Sequence, residues 1–152
     1  MRKPASWDET WLNIAVVVSR RSKDPRMQVG AVLVSPDNSS VSVGYNGFPR
    51  GIKDTEMRWE RPTKYKYCVH AEINAILNCP VRPEGWTLYL TIPPCADCAT
   101  KVIQAGVKRV IYLREPNPDS QLDCEFGKQL FEEAGVQLEK FVGEPIDEKD
   151  LW

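Results

Sequence analysis

The feature that most constrains the fold of this chain is a pair of short segments that carry its potential metal ligands. The first contains His70, the only histidine in the sequence, followed two residues later by Glu72. The second is Pro94-Cys95-Ala96-Asp97-Cys98, in which two cysteines stand three positions apart. If these side chains act together, the chain must fold so that His70 lies beside both cysteines.

The hydrophobic pattern predicts a helix at each segment and a strand between the two helices. Residues 69–79 are apolar on most sides, as is typical of a buried helix, and Pro80 ends the run. Residues 86–92 alternate as a strand does, and Pro93-Pro94 is expected to open the next helix in its first turn. Gly106 ends that second helix. Both ligand segments are therefore expected at helix starts.

The rest of the chain predicts a sheet covered by helices. A capping box, Ser6-Trp7-Asp8-Glu9, starts a helix that should run to residue 20 or 21. The patterns further predict a hairpin, a strand, a helix and a last strand, at residues 29–47, 107–113, 123–134 and 136–142. Strand–helix–strand units of this length imply parallel crossovers, so we expect a three-layer α/β/α fold with a mixed five-stranded sheet. The polar segment 48–67 has no clear period, and a loop of this length usually carries function or a subunit contact.

Composition limits the class of protein and its partners. The 152 residues suit a single domain, 1–152, with an acidic surface tail at about 143–152. A net charge of −1 gives no general attraction to nucleic acid, and no apolar run approaches the length of a membrane helix. The N-terminus lacks a signal-peptide pattern, so we expect a cytoplasmic location, where 5 cysteines favour metal or redox use over disulfides.

The residue types in the two segments favour a catalytic zinc site. Cys95 and Cys98 place both sulfurs on one helix face, and a helix N-terminus favours the thiolate that zinc binds. His70 supplies a third ligand and leaves the fourth position open, as in catalytic rather than structural zinc sites. Zinc in such a site brings the pKa of bound water to about 7, and Glu72 could move its proton without being a ligand.

Two other interpretations of the cysteines stay open at this point. A C-x-x-C pair after a strand also suits a thioredoxin-like redox site, although such a site would not need His70 or Glu72. A structural zinc would need a fourth ligand, for which Cys68 and Cys79 are candidates by proximity in sequence. We favour the catalytic site and interpret Cys68, Cys79 and Cys124 as buried or incidental thiols.

These motifs resemble those of deoxycytidylate deaminases, a family of the cytidine deaminase superfamily. The resemblance covers nearly the whole chain, through Ser22-Lys23-Asp24-Pro25, Val29-Gly30-Ala31, Gly44-Tyr45-Asn46-Gly47-Phe48-Pro49, the run from His70 to Ile76, and Pro94 to Cys98. It implies a cytidine-deaminase-like fold and hydrolysis of dCMP to dUMP and ammonia, which feeds dTMP synthesis. Residues 44–49, with the loop after them, are the part that favours dCMP over free cytidine, guanine or tRNA adenosine.

The resemblance implies a role for each matching site residue. The zinc ligands would be His70, Cys95 and Cys98. Glu72 would move protons, the backbone of Ala71 would hydrogen-bond the pyrimidine, Val29 would pack on its face, and Asn46 would hold the deoxyribose. Some family members bind a second, structural zinc through further histidines, so the single histidine here implies one zinc per subunit.

The resemblance also implies regulation and assembly. The family has an allosteric site at subunit interfaces, where dCTP with Mg2+ activates and dTTP inhibits, usually in a homohexamer. The matching residues of this chain are Gly44, Tyr45, Asn46 and Gly47.

A monophosphate substrate further requires a cation near the site. The candidates near predicted strand ends or catalytic loops are Lys23, Arg26, Arg50 and Arg114. Arg26 is the first choice because it lies just before Val29-Gly30 and because a guanidinium can bind two phosphate oxygens at once.

Two classes of alternative function remain. The first is deamination of another substrate, namely dCTP, cytidine or adenosine in RNA. The second is a non-catalytic zinc scaffold or nucleotide-binding regulator.

Overall fold

The computed structural model describes residues 1–144 and contains one five-stranded sheet. The strands are β1 (Gly30–Val34), β2 (Val41–Tyr45), β3 (Thr87–Leu90), β4 (Arg109–Tyr112) and β5 (Gln137–Lys140). The helices are α1 (Trp7–Ser19), α2 (Glu56–Trp59), α3 (Ala71–Asn78), α4 (Ala96–Gln104) and α5 (Cys124–Ala134), with a 3-10 turn at Thr63–Lys66. Among the described residues, no helix is long and apolar enough to span a membrane.

The strand order β2-β1-β3-β4-β5 confirms the mixed sheet with the hairpin at one edge. β1 runs antiparallel to both β2 and β3. β3, β4 and β5 run parallel to one another, and α4 and α5 make the connections between them. A parallel connection must return the chain to the other end of the sheet, so each helix starts beyond the carboxyl end of a strand. That end of an α/β sheet is where binding sites usually form.

Helices cover both faces of the sheet, which confirms the three-layer α/β/α arrangement. On one face, Val32 and Val34 of β1 pack with Leu12 and Ala15 of α1. The core on the other face takes residues from β1, α3, α4 and α5, including Ala31, Leu33, Ala75, Val102 and Phe131. Every residue of β1 is buried because it lies between these two helical layers.

Two helices differ from the sequence-based prediction. α3 begins at Ala71 rather than at residue 69, because Val69 pairs its backbone with Gly47 in a short antiparallel bridge. The predicted burial of α3 on most sides is wrong, since Leu77 is 71% exposed. The prediction that Pro93-Pro94 lies in the first turn of α4 is also wrong, because the N-cap is Cys95 and both prolines precede it.

The segment predicted as an aperiodic loop contains α2 and the 3-10 turn. Its aromatic residues form their own packed group, in which the ring of Phe48 lies 4.3 Å from that of Trp59 and 5.3 Å from that of Tyr67. Stacking of this kind orders a segment whose sequence has no helical or strand period. The predicted acidic tail lies outside the described residues from position 145 onward.

Hydrogen bonds to Asp8 hold the first turn of α1 against the sheet. The Ser6 hydroxyl accepts a hydrogen bond from the Glu9 amide at 3.1 Å, which is the capping interaction that the sequence predicts. Asp8 then accepts hydrogen bonds from the Tyr89 hydroxyl at 2.7 Å and from the Arg109 guanidinium at 3.0 and 3.1 Å. Burial alone would raise the pKa of Asp8, but the bonds from Arg109 and Tyr89 outweigh it and lower that pKa.

Replacement of Asp8 by asparagine should therefore destabilise the protein in a pH-dependent way. A carboxyl group with a lowered pKa stabilises the fold above its unfolded-state pKa of about 4, and this contribution is lost as the pH falls through the folded-state pKa. We expect Asp8→Asn to reduce the free energy of unfolding by roughly 1 kcal/mol at pH 7, with a smaller difference from the wild type at pH 4. Urea titrations at pH 7, 5 and 4 measure this. Glu133→Gln, a change at an exposed carboxylate, serves as the control, and equal stability of Asp8→Asn and wild type at pH 7 would contradict the assignment.

Candidate metal centre and its pocket

Three predicted ligands meet where two helices begin. His70 is the N-cap of α3, Cys95 is the N-cap of α4, and Cys98 lies in the first turn of α4. The Nδ1 atom of His70 is 3.2 Å from the Cys98 sulfur and 3.6 Å from the Cys95 sulfur. Within residues 1–144, this is the one group of three or more such side chains close enough to hold a metal ion.

The geometry and chemistry of this group fit zinc. Tetrahedral zinc with usual bond lengths separates its nitrogen and sulfur ligands by about 3.6 Å, close to both distances seen here. The hydrogen bond from Cys98 lowers the pKa of Cys95 to about 4, despite burial. That same bond, together with burial, raises the pKa of Cys98. One sulfur is therefore readily a thiolate, which is the form that binds zinc.

Glu72 stands beside the ligand group without belonging to it. The residue is 4% exposed and lines the same pocket as His70 and Cys95. Burial raises the pKa of Glu72, and the charge of His70 acts in the opposite direction. A carboxyl group with a raised pKa exchanges protons closer to neutral pH, so its position suits a proton carrier at this site.

The seating of α3 on β2 places His70 and Glu72. A Cβ atom at Gly44 would lie 2.4 Å from the Ala71 carbonyl oxygen and 2.4 Å from the Ala75 nitrogen, so only glycine allows this approach. The Ser42 hydroxyl donates to the Ala75 carbonyl at 2.7 Å. The amides of Asn74 and Asn78 donate to the carbonyls of Tyr45 and Val43 at 2.8 and 3.0 Å. Hydrogen bonds from Ser42, Asn74 and Asn78 thus hold α3 on the edge strand β2.

The start of α5 supports the cysteine segment. The Ala96 amide donates to the Asp123 carbonyl at 2.9 Å, and the Cys124 thiol lies 3.5 Å from the Pro93 carbonyl. A Cβ atom at Gly127 would come within 2.7 Å of the Pro94 carbonyl oxygen, so glycine is needed for this close packing. Cys124 is therefore buried behind the group of His70, Cys95 and Cys98 and does not join it.

The pocket that opens onto the ligands contains several of the predicted substrate residues. Val29, Asn46 and Ala71 all line it, together with Glu72. The amide of Asn46 is already engaged, because its oxygen accepts from the Val29 amide at 2.8 Å and its nitrogen donates to the Met27 carbonyl at 2.9 Å. Asn46 therefore holds the chain before β1 against the pocket wall.

The sequence did not predict that Lys64 and Arg61, two cations of the segment 48–67, line the pocket. Lys64 is 7% exposed, and its ammonium forms an ion pair with the buried carboxylate of Asp24. Asp24 also accepts hydrogen bonds from the amides of Arg26 and Met27, at 2.9 and 3.1 Å. Arg61 lines the pocket as well. The aromatic residues around these cations indicate a packed segment, but no local pattern shows which part of the fold it packs against.

None of the four cations predicted as phosphate candidates lines this pocket. Arg26 lines two adjoining depressions, and Lys23 pairs with Asp54 at 3.0 Å. Arg50 and Arg114 are exposed. Of the motif at residues 44–47, Asn46 alone lines the pocket, Tyr45 is exposed on β2, and Gly47 pairs with Val69 just before His70.

Comparison with known proteins gives consistent matches. Residues 5–114 match the family described as the cytidine and deoxycytidylate deaminase zinc-binding region. The chain is 40% identical to deoxycytidylate deaminase of Homo sapiens over 143 residues, which cover 90% of this chain and 80% of the human protein. It is 44% identical to a probable deoxycytidylate deaminase of Caenorhabditis elegans over 140 residues, covering 88% and 69% of the two chains. The crystal structure of dCMP deaminase from cyanophage S-TIM5 in complex with dCMP and dUMP aligns with a TM-score of 0.74 at 30% identity, covering 92% of this chain and 100% of the phage chain.

Metal analysis of the purified protein should give about one zinc ion per chain. Cys98→Ser should lose most of that zinc, because three ligands leave little affinity once one is weakened. Cys68→Ser is the matched control, since this thiol lines the same pocket but stands outside the ligand group, and it should retain the metal. Loss of zinc from Cys68→Ser would indicate a closed site with four ligands, and two zinc ions per chain would contradict the single-site prediction.

Proposed function

The chain belongs to the deoxycytidylate deaminase family, and on that premise we propose that it catalyses zinc-dependent hydrolysis of dCMP to dUMP and ammonia. The observation that carries the proposal is the His70, Cys95 and Cys98 group beside the buried carboxyl of Glu72 in one pocket. The similar phage enzyme is described in complex with dCMP and dUMP, which are the proposed substrate and product. A redox role for the two cysteines would leave His70 and Glu72 without a function.

The proposed reaction assigns a proton path to Glu72. Zinc held by His70, Cys95 and Cys98 would supply Lewis-acid activation of water at neutral pH. Glu72 takes a proton from the water that adds to C4 of cytosine and passes it to N3. Glu72 then takes the proton of the new C4 hydroxyl and gives it to the amino group, so the C4–N bond breaks and ammonia leaves as the C4 carbonyl forms. The buried position of Glu72 keeps these transfers away from bulk solvent.

The other pocket residues are proposed to hold the nucleotide for this step. Val29 would pack on the pyrimidine face, and the backbone of Ala71 would hydrogen-bond the ring. The Asn46 oxygen already accepts a bond from the Val29 amide, but a carbonyl oxygen has two lone pairs and can accept a second bond from a deoxyribose hydroxyl. Arg26 remains the sequence-based candidate for the 5′-phosphate, at the depression beside the pocket.

Replacement of Glu72 by glutamine should separate catalysis from metal binding. Glutamine has the same shape but cannot carry the proton, so turnover of dCMP should fall by about 10²- to 10⁴-fold while zinc content is unchanged. Ammonia release and metal content measure the two effects. Asp97→Asn, at an exposed carboxylate between the two cysteines, is the control and should behave as the wild type. Unchanged ammonia release from dCMP by Glu72→Gln would support a zinc scaffold or nucleotide-binding regulator instead.

The same assay distinguishes the alternative substrates. We expect the wild type to have its highest kcat/KM for dCMP, followed at a distance by dCTP and deoxycytidine. A higher value for dCTP or for a nucleoside would move the assignment to another branch of the superfamily.

We also propose that the product dUMP supplies dTMP synthesis and that the enzyme is regulated by dCTP with Mg2+ and by dTTP in a homohexamer. This proposal rests on the match at Gly44, Tyr45, Asn46 and Gly47. Apolar side chains exposed on β2 and α3, among them Val41 and Leu77, are surfaces that assembly would bury.

Initial rates against dCMP concentration test the regulation. We expect dCTP with Mg2+ to raise the rate at low dCMP and dTTP to lower it, with both effects disappearing at saturating dCMP, because the effectors shift an equilibrium between two states. The control is dGTP with Mg2+, which has the same charge and a different base. Identical curves with and without dCTP and dTTP would remove the regulatory proposal.

A further inference from the structure

Arg61 lies where the metal pocket meets two neighbouring depressions on the surface. It follows α2 and lines all three hollows. Its Nε atom is buried, and among the described residues it finds no hydrogen-bond partner. Within residues 1–144 the guanidinium also forms no ion pair, and its central carbon lies 5.9 Å from the centre of the Tyr65 ring.

A buried N–H group without a partner costs free energy, because it has lost water and gained nothing in exchange. Such groups are rare in folded proteins, because nearly every buried N–H group has an acceptor from the protein, from water or from a bound ion. The guanidinium of arginine presents several N–H donors in one plane, which matches two oxygens of a phosphate group. The unpartnered Nε of Arg61 therefore points to an oxyanion as the missing partner.

The other cations near the pocket either form ion pairs within the fold or lie outside the pocket. The ammonium of Lys64 is neutralised by Asp24 inside the fold, and that of Lys23 is paired with Asp54. Arg26 is exposed and lines only the outer depressions. Among the described lysines and arginines that line the pocket containing His70 and Glu72, Arg61 is the one that forms no ion pair.

We propose that Arg61 binds the 5′-phosphate of the substrate and makes the site prefer a nucleotide over the corresponding nucleoside. This inference rests on the proposed deamination and assigns its substrate specificity to the segment 48–67. Arg61 contacts a part of the substrate that does not change during the reaction, so its binding energy is the same in the ground state and the transition state. Its loss should therefore raise KM with little change in kcat.

The experiment compares dCMP with deoxycytidine in three arginine variants. For Arg61→Ala, the ratio of kcat/KM for dCMP to kcat/KM for deoxycytidine should fall by about 10- to 100-fold, mostly through the KM for dCMP. Arg61→Lys should recover part of the ratio, since it restores the charge without the planar donors. Arg26→Ala should reduce the ratio less than Arg61→Ala does. Lys66→Ala removes an exposed charge from the same segment and is the control for net charge, with an unchanged ratio expected.

Product binding separates failure of this inference from failure of the proposed function. Calorimetric titration with dUMP and deoxyuridine needs no turnover, and Arg61→Ala should weaken dUMP binding while leaving the affinity for deoxyuridine unchanged. If the wild type deaminates neither substrate, the proposed function fails, and the titration still decides the role of Arg61. An equal loss for both substrates, an unchanged ratio, or a larger loss in Arg26→Ala would overturn the assignment.

Discussion

The close approach of α3 to the edge strand β2 is the constraint on which the site depends. Because the space for a Cβ atom at Gly44 is filled by backbone atoms of α3, a larger residue could be accommodated only if the helix moved. The moving part would be the N-terminal turn that begins at His70 and includes Glu72. Geometry at a metal site must be held within a fraction of an ångström, so a displacement too small to unfold the protein would still separate His70 from the two cysteines. A residue that does not line the pocket thus sets the position of His70 relative to the two cysteines.

This constraint changes how the segment Gly44-Tyr45-Asn46-Gly47 is interpreted. Sequence resemblance assigns the segment to regulation, yet three of its residues have structural functions within one chain. Gly44 admits α3, Asn46 ties the chain before β1 to the pocket wall, and Gly47 pairs with Val69 immediately before His70. Tyr45 alone extends its ring outward from the strand. A regulatory nucleotide bound at this segment would sit on the backbone that positions the metal ligand, which gives a short physical route from effector to active site.

The sequence predicted the fold and the grouping of His70 with the two cysteines because both depend on local patterns. Alternating strands, helix caps and the spacing of Cys95 and Cys98 are each determined within a few residues, and the sheet topology follows from the lengths of the connections. The predicted burial of Leu77 was wrong because an apolar residue has only a preference for burial. That preference does not show whether other residues of the same chain cover the side chain. Arg61 and Lys64 escaped prediction for a different reason. Their proposed function depends on which distant part of the fold the segment 48–67 packs against. The spacing of apolar residues in the sequence does not indicate that part.

The residues proposed for chemistry and those proposed for substrate selection belong to different parts of the fold. His70, Glu72 and the two cysteines belong to two helix starts that pack on the sheet, whereas Arg61 belongs to a segment outside it. The two parts meet at Asp24, which binds the ammonium of Lys64 on one side and accepts a bond from the Asn46 amide at 3.4 Å on the other. A buried ion pair contributes little net stability but is costly to break, so it fixes an arrangement more than it strengthens a fold. Here the pair joins the segment 48–67, which carries Arg61, to the wall of the pocket that contains His70 and Glu72.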